Sequence, residues 1–378
     1  MENAQQHIET LAVHAGYTHD LPSGDVTPPI HLSTTFARQP DGTLGDYVYT
    51  RTHNPNRQAV EQKLAALEGA ALALAFSSGM AAIKAVLETV LAPGDHIVLP
   101  DDCYHGTRAL VSELLSRWGI TWSLADMSDP AQVAAVLRPD TRLVWMETPS
   151  NPLLKVTDLT AIVALCRPRQ MITVCDSTFA TPLLQRPLDL GVDVVIHAAT
   201  KFFGGHSDLL GGVLMTRQAE RFGPGLMAAQ RTGGAVLSPF DSWLLYRSLA
   251  TFPLRFRAQC ATAEVVAAYL ATHPAIERVY YPGLPDHPGH EIASRQMQGG
   301  YGSILSVLVR GGQEAAMQFC GRLRVFRHAT SLGGVESLVE HRRSVEGAYP
   351  ISPDHLIRIS IGLEHPEDLL EDLRVALG

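Results

Sequence analysis

The sequence is short of the features that mark several large protein classes. No apolar run approaches the roughly 20 residues that a membrane span needs. The most apolar stretch, 70–91, is interrupted by Ser77, Ser78, Gly79, Lys84 and Glu88, and reads as a strand followed by a buried helix. Basic residues are not in excess. The 30 Lys and Arg face 38 Asp and Glu, a formal net charge of −8, which argues against nucleic acid or an anionic membrane as a partner. Cysteine is scarce and odd in number: Cys103, Cys166, Cys175, Cys260 and Cys320 include no Cys-x-x-Cys pair. Free thiols in a reducing cytoplasm are therefore expected, rather than disulfides or a zinc cluster. The start, residues 1–7, is polar and lacks a signal-peptide core, so a cytoplasmic location is expected. No Gly-x-Gly-x-x-Gly follows an early strand, which disfavours a nicotinamide dehydrogenase. The one histidine pair with metal-like spacing, His287-Pro288-Gly289-His290, carries turn formers and is read as a surface turn, leaving no metal site expected.

What remains is an ordinary globular composition, 46% hydrophobic and 18% charged over 378 residues, enough for two or three domains. No repeat or low-complexity tract divides it. Residues 1–53 have weak periodicity and many turn formers (Pro22, Gly24, Pro28, Pro29, Pro40, Gly42, Gly45), as expected of an arm that wraps a neighbour. Residues 54–250 alternate helices and short apolar strands. Helices are expected over 55–69, 80–91, 107–118 and 159–166, and after a Ser128 cap with Pro130 in the first turn. Strands are expected at 73–76, 97–99, 121–124, 143–146, 171–175 and from 194. Strands without polar alternation, separated by helices, indicate a largely parallel α/β sheet covered on both faces. A long helix over 239–273, kinked at Pro253, leads into residues 251–378. There a strand at 303–309, a helix at 313–323, a strand at 356–361 and a closing helix at 366–377 indicate a smaller α+β domain.

Two strand ends carry the chemistry. The apolar strand from Val194 runs through His197-Ala198-Ala199-Thr200 to Lys201, which is followed by Phe202, Phe203, Gly204 and Gly205. The strand ending 25 residues earlier closes on Asp176. Pyridoxal 5'-phosphate (PLP) needs both groups: a lysine for a Schiff base and a carboxylate for its pyridine nitrogen. Taken alone, Lys201 reads more readily as a surface lysine after a strand, and Asp176 reads as well as an ordinary loop aspartate. Ser78-Gly79-Met80, opening a helix, offers backbone N–H groups to a phosphate. Tyr104 follows a strand end, where a ring can cover the cofactor. Arg358 lies inside an apolar strand and is either a substrate-carboxylate anchor or a structural ion pair.

These residues bring a resemblance into view. The chain resembles the Cys/Met-metabolism family of PLP enzymes, which includes cystathionine γ-synthase, the cystathionine lyases, methionine γ-lyase and the O-acylhomoserine sulfhydrylases. The likeness covers nearly the whole chain. It rests on Tyr49-Thr50-Arg51 with Asn54-Pro55, Ser78-Gly79-Met80, Asp102-Cys103-Tyr104, and Glu147-Thr148-Pro149-Ser150-Asn151-Pro152. It continues through Asp176-Ser177-Thr178, the Lys201 segment, Ser331-Leu332-Gly333-Gly334 and 358–362. It implies an aspartate-aminotransferase-like fold (fold type I) with a mostly parallel seven-stranded sheet. It also implies PLP on Lys201, stacking and proton exchange by Tyr104, and ring contact by Asp176. Phosphate binding falls to Gly79, Met80 and Thr200, joined by Tyr49 and Arg51 of a neighbouring subunit. Asn151, Ser331 and Arg358 orient the substrate. The implied assembly is a homotetramer, a dimer of dimers. The implied reaction is γ-elimination or γ-replacement on γ-substituted amino acids; a β-lyase, or a catalytically weak PLP-binding scaffold, stays open as an alternative.

Several positions depart from the family pattern. Ala198 stands where relatives carry a phosphate-binding serine, and His105 replaces a glycine beside Tyr104. Val48 and Thr330 occupy positions where cystathionine enzymes tend to be acidic, so tight recognition of that distal ammonium is not expected. Arg342 and Arg343 fall where relatives have a Met-Thr-His sequence; they either accept an anionic substituent or belong to a solvated charged loop.

Overall fold

The computed structural model describes residues 6–17, 24–347 and 350–378. Residues 1–5 of the polar start and the turn former Pro22 lie outside the described residues. Among those described, seven strands make the larger sheet: β1 (Leu72–Phe76), β2 (His96–Pro100), β3 (Thr121–Ala125), β4 (Thr141–Glu147), β5 (Ile172–Asp176), β6 (Val194–His197) and β7 (Gly212–Thr216). Their order is β1-β7-β6-β5-β4-β2-β3. β2 to β6 pair in parallel, and β7 runs antiparallel to both β1 and β6.

The lack of polar alternation has a simple cause, visible in β4. Leu143 and Trp145 bury on one face, in a cluster with Ile83, Val86 and Leu87 of the helix Gly79–Val90. Val144 and Met146 bury on the other face against Leu159, Ile162 and Val163 of the helix Leu159–Cys166. Successive side chains point to opposite faces, and both faces are covered, so all four positions from Leu143 to Met146 are apolar. Parallel strands also end on one edge. Pro100, Glu147, Asp176 and His197 therefore close their strands along a common edge, and the loops that follow them carry the cavity described below.

The smaller sheet, again among the described residues, holds β8 (Ile276–Tyr280), β9 (Ile304–Val309), β10 (Arg327–His328), β11 (Leu338–His341) and β12 (Leu356–Ser360), in the order β10-β11-β12-β9-β8. The helix Phe252–Thr272 ties the two sheets together. Phe252, Phe256 and Cys260 pack with residues of the larger sheet, including Val213 and Met215, whereas Ala263, Val266 and Leu270 join the core of the smaller one.

Three local expectations need correction. The stretch 239–273 is two helices, Pro239–Leu249 and Phe252–Thr272, rather than one kinked helix. Pro253 sits in the second helix's first turn, where its missing N–H has no helical acceptor to lose. The helix expected to follow a Ser128 cap is capped by Asp129, which accepts from Ala131 N–H at 2.9 Å, while the Ser128 hydroxyl donates to Asp126 at 2.6 Å. The helix expected at 107–118 begins at His105 and changes register, through a wider turn at Leu110–Leu114 and a tighter one at Leu115–Trp118. The five cysteines are free and buried, as expected. Among the described residues no helix is long and apolar enough to cross a membrane.

Candidate active site

A cavity of about 460 Å³ opens at the carboxyl edge of the larger sheet and is closed by residues of the smaller one; Tyr104, Asp176, Lys201, Ser331 and Arg358 all line it. The chain has four lysines, and their positions differ decisively. Lys63 donates to the carbonyls of Ala12 and Val13, Lys84 pairs with Glu88, and Lys155 pairs with Asp101 and Asp126. Lys201 alone faces the cavity, where its Nζ donates to Ser331 Oγ at 2.8 Å. Ser331 has φ +86°, a left-handed conformation unusual for a non-glycine residue. That backbone turn lets one residue serve two cations, because its carbonyl accepts from Arg358 at 2.9 Å. Burial, and then Arg358, lower the Lys201 pKa to about 8, while Glu340 opposes.

Asp176 closes β5 beside Glu147, its register partner on β4. Thr178 fixes Asp176 Oδ1 with its N–H at 3.0 Å and its hydroxyl at 2.6 Å, leaving Oδ2 for a ligand. Glu147, which sequence reasoning passed over, accepts from the N–H groups of Tyr104 and Asn151, each at 2.9 Å. It thus holds two site residues by their backbones. Burial raises both carboxyl groups, and the Asp176 charge pushes Glu147 further, well above the usual carboxylate range. At Asp176 the two Thr178 hydrogen bonds and the nearby His197 oppose that rise.

The opposite wall is built for an anion. Ser78 caps the helix Gly79–Val90, its side chain accepting from Ala81 N–H at 3.1 Å, so the helix N-terminus points at the cavity beside Gly79 and Met80. Gly212 on β7 permits this. A Cβ there would lie 2.4 Å from the Ser78 carbonyl oxygen and would push the turn off the sheet. Ala198 and Thr200 also line this wall, but the Thr200 hydroxyl is engaged by Gly211, donating to its carbonyl at 3.1 Å and accepting from its N–H at 3.0 Å.

On the smaller-sheet side, Arg358 on β12 is buried and donates to Asn151 Oδ1 at 3.0 Å and to Glu340 at 2.7 Å. Tyr104 and His105 stack at a tilt, with ring centroids 4.5 Å apart. His105 is exposed on one side yet lines the cavity. Tyr49 and Arg51 do not reach it. Tyr49 is 44% exposed, and Arg51 donates to the Arg231 carbonyl at 2.6 Å. Thr330 lines the cavity and Val48 does not. The charged segment after Glu340 is not a solvated loop throughout, because Arg342 is 5% exposed and faces the cavity while Arg343 is exposed. The His287–His290 turn is not wholly at the surface either. His287 is buried, and its Nδ1 accepts from Gly289 N–H at 3.0 Å.

The Cys/Met metabolism PLP-dependent enzyme family matches residues 9–378. The chain belongs to that family. A cystathionine gamma-synthase of Mycobacterium tuberculosis is 48% identical over 375 residues, covering 98% of this chain and 96% of the relative. A cystathionine gamma-lyase of Bacillus subtilis is 42% identical over 377 residues, covering 98% of both. A solved cystathionine gamma synthase of Xanthomonas oryzae in complex with cystathionine superposes with a TM-score of 0.96 at 41% identity, covering 99% of this chain and 98% of that one. As a Cys/Met metabolism enzyme the protein uses PLP, and its cavity fits the cofactor. It offers one amine of lowered pKa, one anchored carboxylate with a free oxygen, and a capped helix N-terminus.

The amine of the cofactor-stripped enzyme gives a direct test. Only a neutral amine attacks an aldehyde, so the Lys201 pKa sets the pH dependence of reloading. Below a folded-state value of about 8 the neutral fraction rises with pH. The reloading rate is expected to climb about tenfold per pH unit there and to level off above it. A rate still climbing to the ordinary lysine range would contradict the buried, cation-flanked amine.

Proposed function

We propose that the protein carries out γ-elimination or γ-replacement on α-amino acids bearing a leaving group on the γ-carbon, as the names of its relatives indicate. The observation that carries the reading is the convergence of the Lys201 amine, the Asp176 carboxylate, Tyr104 and Arg358 on one cavity. Asp176 would meet the cofactor's ring nitrogen, the N–H groups of Gly79 and Met80 would meet its phosphate, and Lys201 would hold it covalently. When bound, PLP draws electrons from the substrate's α-carbon and makes neighbouring protons acidic.

The chain's own residues supply the rest. Arg358 grips the α-carboxylate with a forked, charge-assisted contact, and Asn151 and Ser331 keep that fork in place. Lys201 Nζ, within reach of the Ser331 hydroxyl, would take the α-proton, pass it to the bound cofactor and, neutral again, take a β-proton. Tyr104 keeps its hydroxyl proton because burial raises its pKa, and it donates that proton to the departing γ-substituent. The substituent leaves with its bonding pair. Water then releases a 2-oxo acid and ammonia, or a thiol adds at the γ-carbon.

Two features extend the reading to the assembly. The residues before 54 form an arm that places Tyr49 and Arg51 at the phosphate site of a partner subunit, in a homotetramer of paired dimers. Exposed apolar side chains on the arm, Val26 at 83% and Leu32 at 67%, support this. The sedimentation mass of the loaded enzyme is expected to be four times that of the chain, and a one-chain mass would contradict it. Five buried, unpaired thiols are in keeping with a cytoplasmic enzyme.

Reaction in deuterated water tests the chemistry. Deuterium is expected at the β-carbon of the thioether product or of recovered substrate. A β-elimination has no β-proton to remove, so a β-carbon without deuterium would replace the γ-reading with the β-lyase one.

A further inference from the structure

His105 stands where two cavities meet. It opens the short helix His105–Ala109 and lines both the main cavity and an adjoining one of about 190 Å³. Its ring lies at a tilt against Tyr104, with centroids 4.5 Å apart, and neither ring nitrogen is hydrogen-bonded to a described residue. Burial lowers its pKa below the ordinary histidine value; Arg342 and Arg358 lower it further, while Glu346 and Glu340 oppose. Arg108 and Glu113, in the helical segment that His105 opens, share the smaller cavity with it. The ring is therefore neutral at pH 7 and keeps one nitrogen lone pair free to accept a proton.

The other titratable groups of the cavity are committed by the time a thiol arrives. Lys201 holds the β-proton that it must return. Asp176 is bonded to Thr178 and reserved for the cofactor's ring nitrogen, and Glu147 is bonded to two backbone N–H groups. Glu340 Oε1 has no partner, but its Oε2 binds both Arg342 and Arg358, and a proton on the carboxylate would weaken both ion pairs. Tyr104 gives its proton to the leaving group, and a buried phenol of raised pKa regains one from water while that group is exchanged for a thiol. The thiolate is the nucleophile, yet a thiol with an ordinary pKa of about 8.5 is mostly protonated at pH 7.

We propose that His105 is the base that takes the proton of the incoming thiol in γ-replacement. The thiol enters where the γ-substituent left, beside Tyr104, and gives its proton to the His105 ring. The sulfur's electron pair forms the bond to the γ-carbon, the displaced pair moves to the β-carbon, and Lys201 returns its proton there. His105 then releases the thiol's proton to solvent through its exposed side. The inference rests on the γ-reaction reading above and names the group that favours replacement over elimination.

The test follows the ratio of thioether to 2-oxo acid formed by the PLP-loaded enzyme, because steps common to both outcomes cancel. The substrates are O-acetyl-L-homoserine, O-succinyl-L-homoserine and L-vinylglycine, the last reaching the addition step without a leaving group; L-cysteine is the accepting thiol. The wild-type ratio is expected to stay within about threefold from pH 7 to 8, since a neutral imidazole serves throughout. His105→Gln and His105→Gly are expected to lower it by about 100-fold at pH 7 and to make it climb about tenfold per pH unit towards the thiol's own pKa. A wild-type ratio that already climbs so steeply, or variants that keep the wild-type ratio and its level profile, would overturn the assignment. A His105-dependent ratio with vinylglycine but no product from either ester would sink the leaving-group reading while supporting His105. Ester turnover with unchanged variant ratios would do the reverse, and no product from any of the three would end both. One readout needs no turnover: carbethoxylation of His105 by diethyl pyrocarbonate, which only the neutral ring undergoes, read by peptide mass spectrometry. Its rate is expected to be level from pH 7 to 8; a rate still climbing there would show a ring already protonated when it has to accept, and would also overturn the proposal.

Discussion

Lys201→Ala is expected to give a folded protein that has lost the yellow absorbance of the loaded enzyme and at least about a thousandfold in turnover, the scale of a positioned proton carrier. The variant removes one hydrogen bond, to Ser331 Oγ, and no ion pair, so the fold has little reason to change. Far-ultraviolet circular dichroism and the thermal midpoint check that. A variant that kept both colour and turnover would remove Lys201 from the chemistry altogether.

Arg358→Ala is the second large effect. Arg358 holds four roles at once: it bonds Asn151 Oδ1, the Ser331 carbonyl and Glu340, and its remaining edge faces substrate. Truncation deletes the α-carboxylate contact and leaves Glu340 with Arg342 as its only cation. Removing one partner of a buried charged pair costs about 2–5 kcal/mol, so kcat/KM is expected to fall by about 30-fold to several thousandfold, mainly through KM. Steady-state kinetics on any accepted substrate reads this. An unchanged KM with a lowered thermal midpoint would assign Arg358 to structure instead.

Much of this was legible in the sequence, for physical reasons that differ by residue. Lys201 and Asp176 stand out because charged groups at the ends of apolar strands must be explained, and parallel strands bring such ends together. The capped turn at Ser78-Gly79 was legible because a helix start has its own residue preferences. β7 was not. Gly212 to Thr216 is a five-residue apolar run after a glycine-rich loop, and nothing in its composition says that it inserts, reversed, between β1 and β6. Glu147 was quoted within a motif without a role, since its work is done on the backbone N–H groups of Tyr104 and Asn151, and that contact exists only once β4 is placed. The Pro253 kink failed because proline disrupts a helix interior but suits a first turn, and the Thr251 that precedes Phe252 makes no side-chain cap hydrogen bond. In the sequence, Arg342 and Arg343 are alike, either acceptors of an anionic substituent or members of a solvated charged loop. Only the return of β11 and β12 to the cavity separates Arg342 from the exposed Arg343.

Basicity alone does not pick the cofactor's lysine. Burial lowers Lys63 to about 8 as it does Lys201, yet Lys63 is spent on the carbonyls of Ala12 and Val13 and lies against the Tyr246 ring, away from the cavity. Borohydride reduction of the loaded enzyme, followed by proteolysis and mass spectrometry, therefore tests the account at its root. The pyridoxyl group should be found on the peptide containing Lys201 and on no other. Its recovery on Lys63, Lys84 or Lys155 would mean that the cavity described here is not where the cofactor is held.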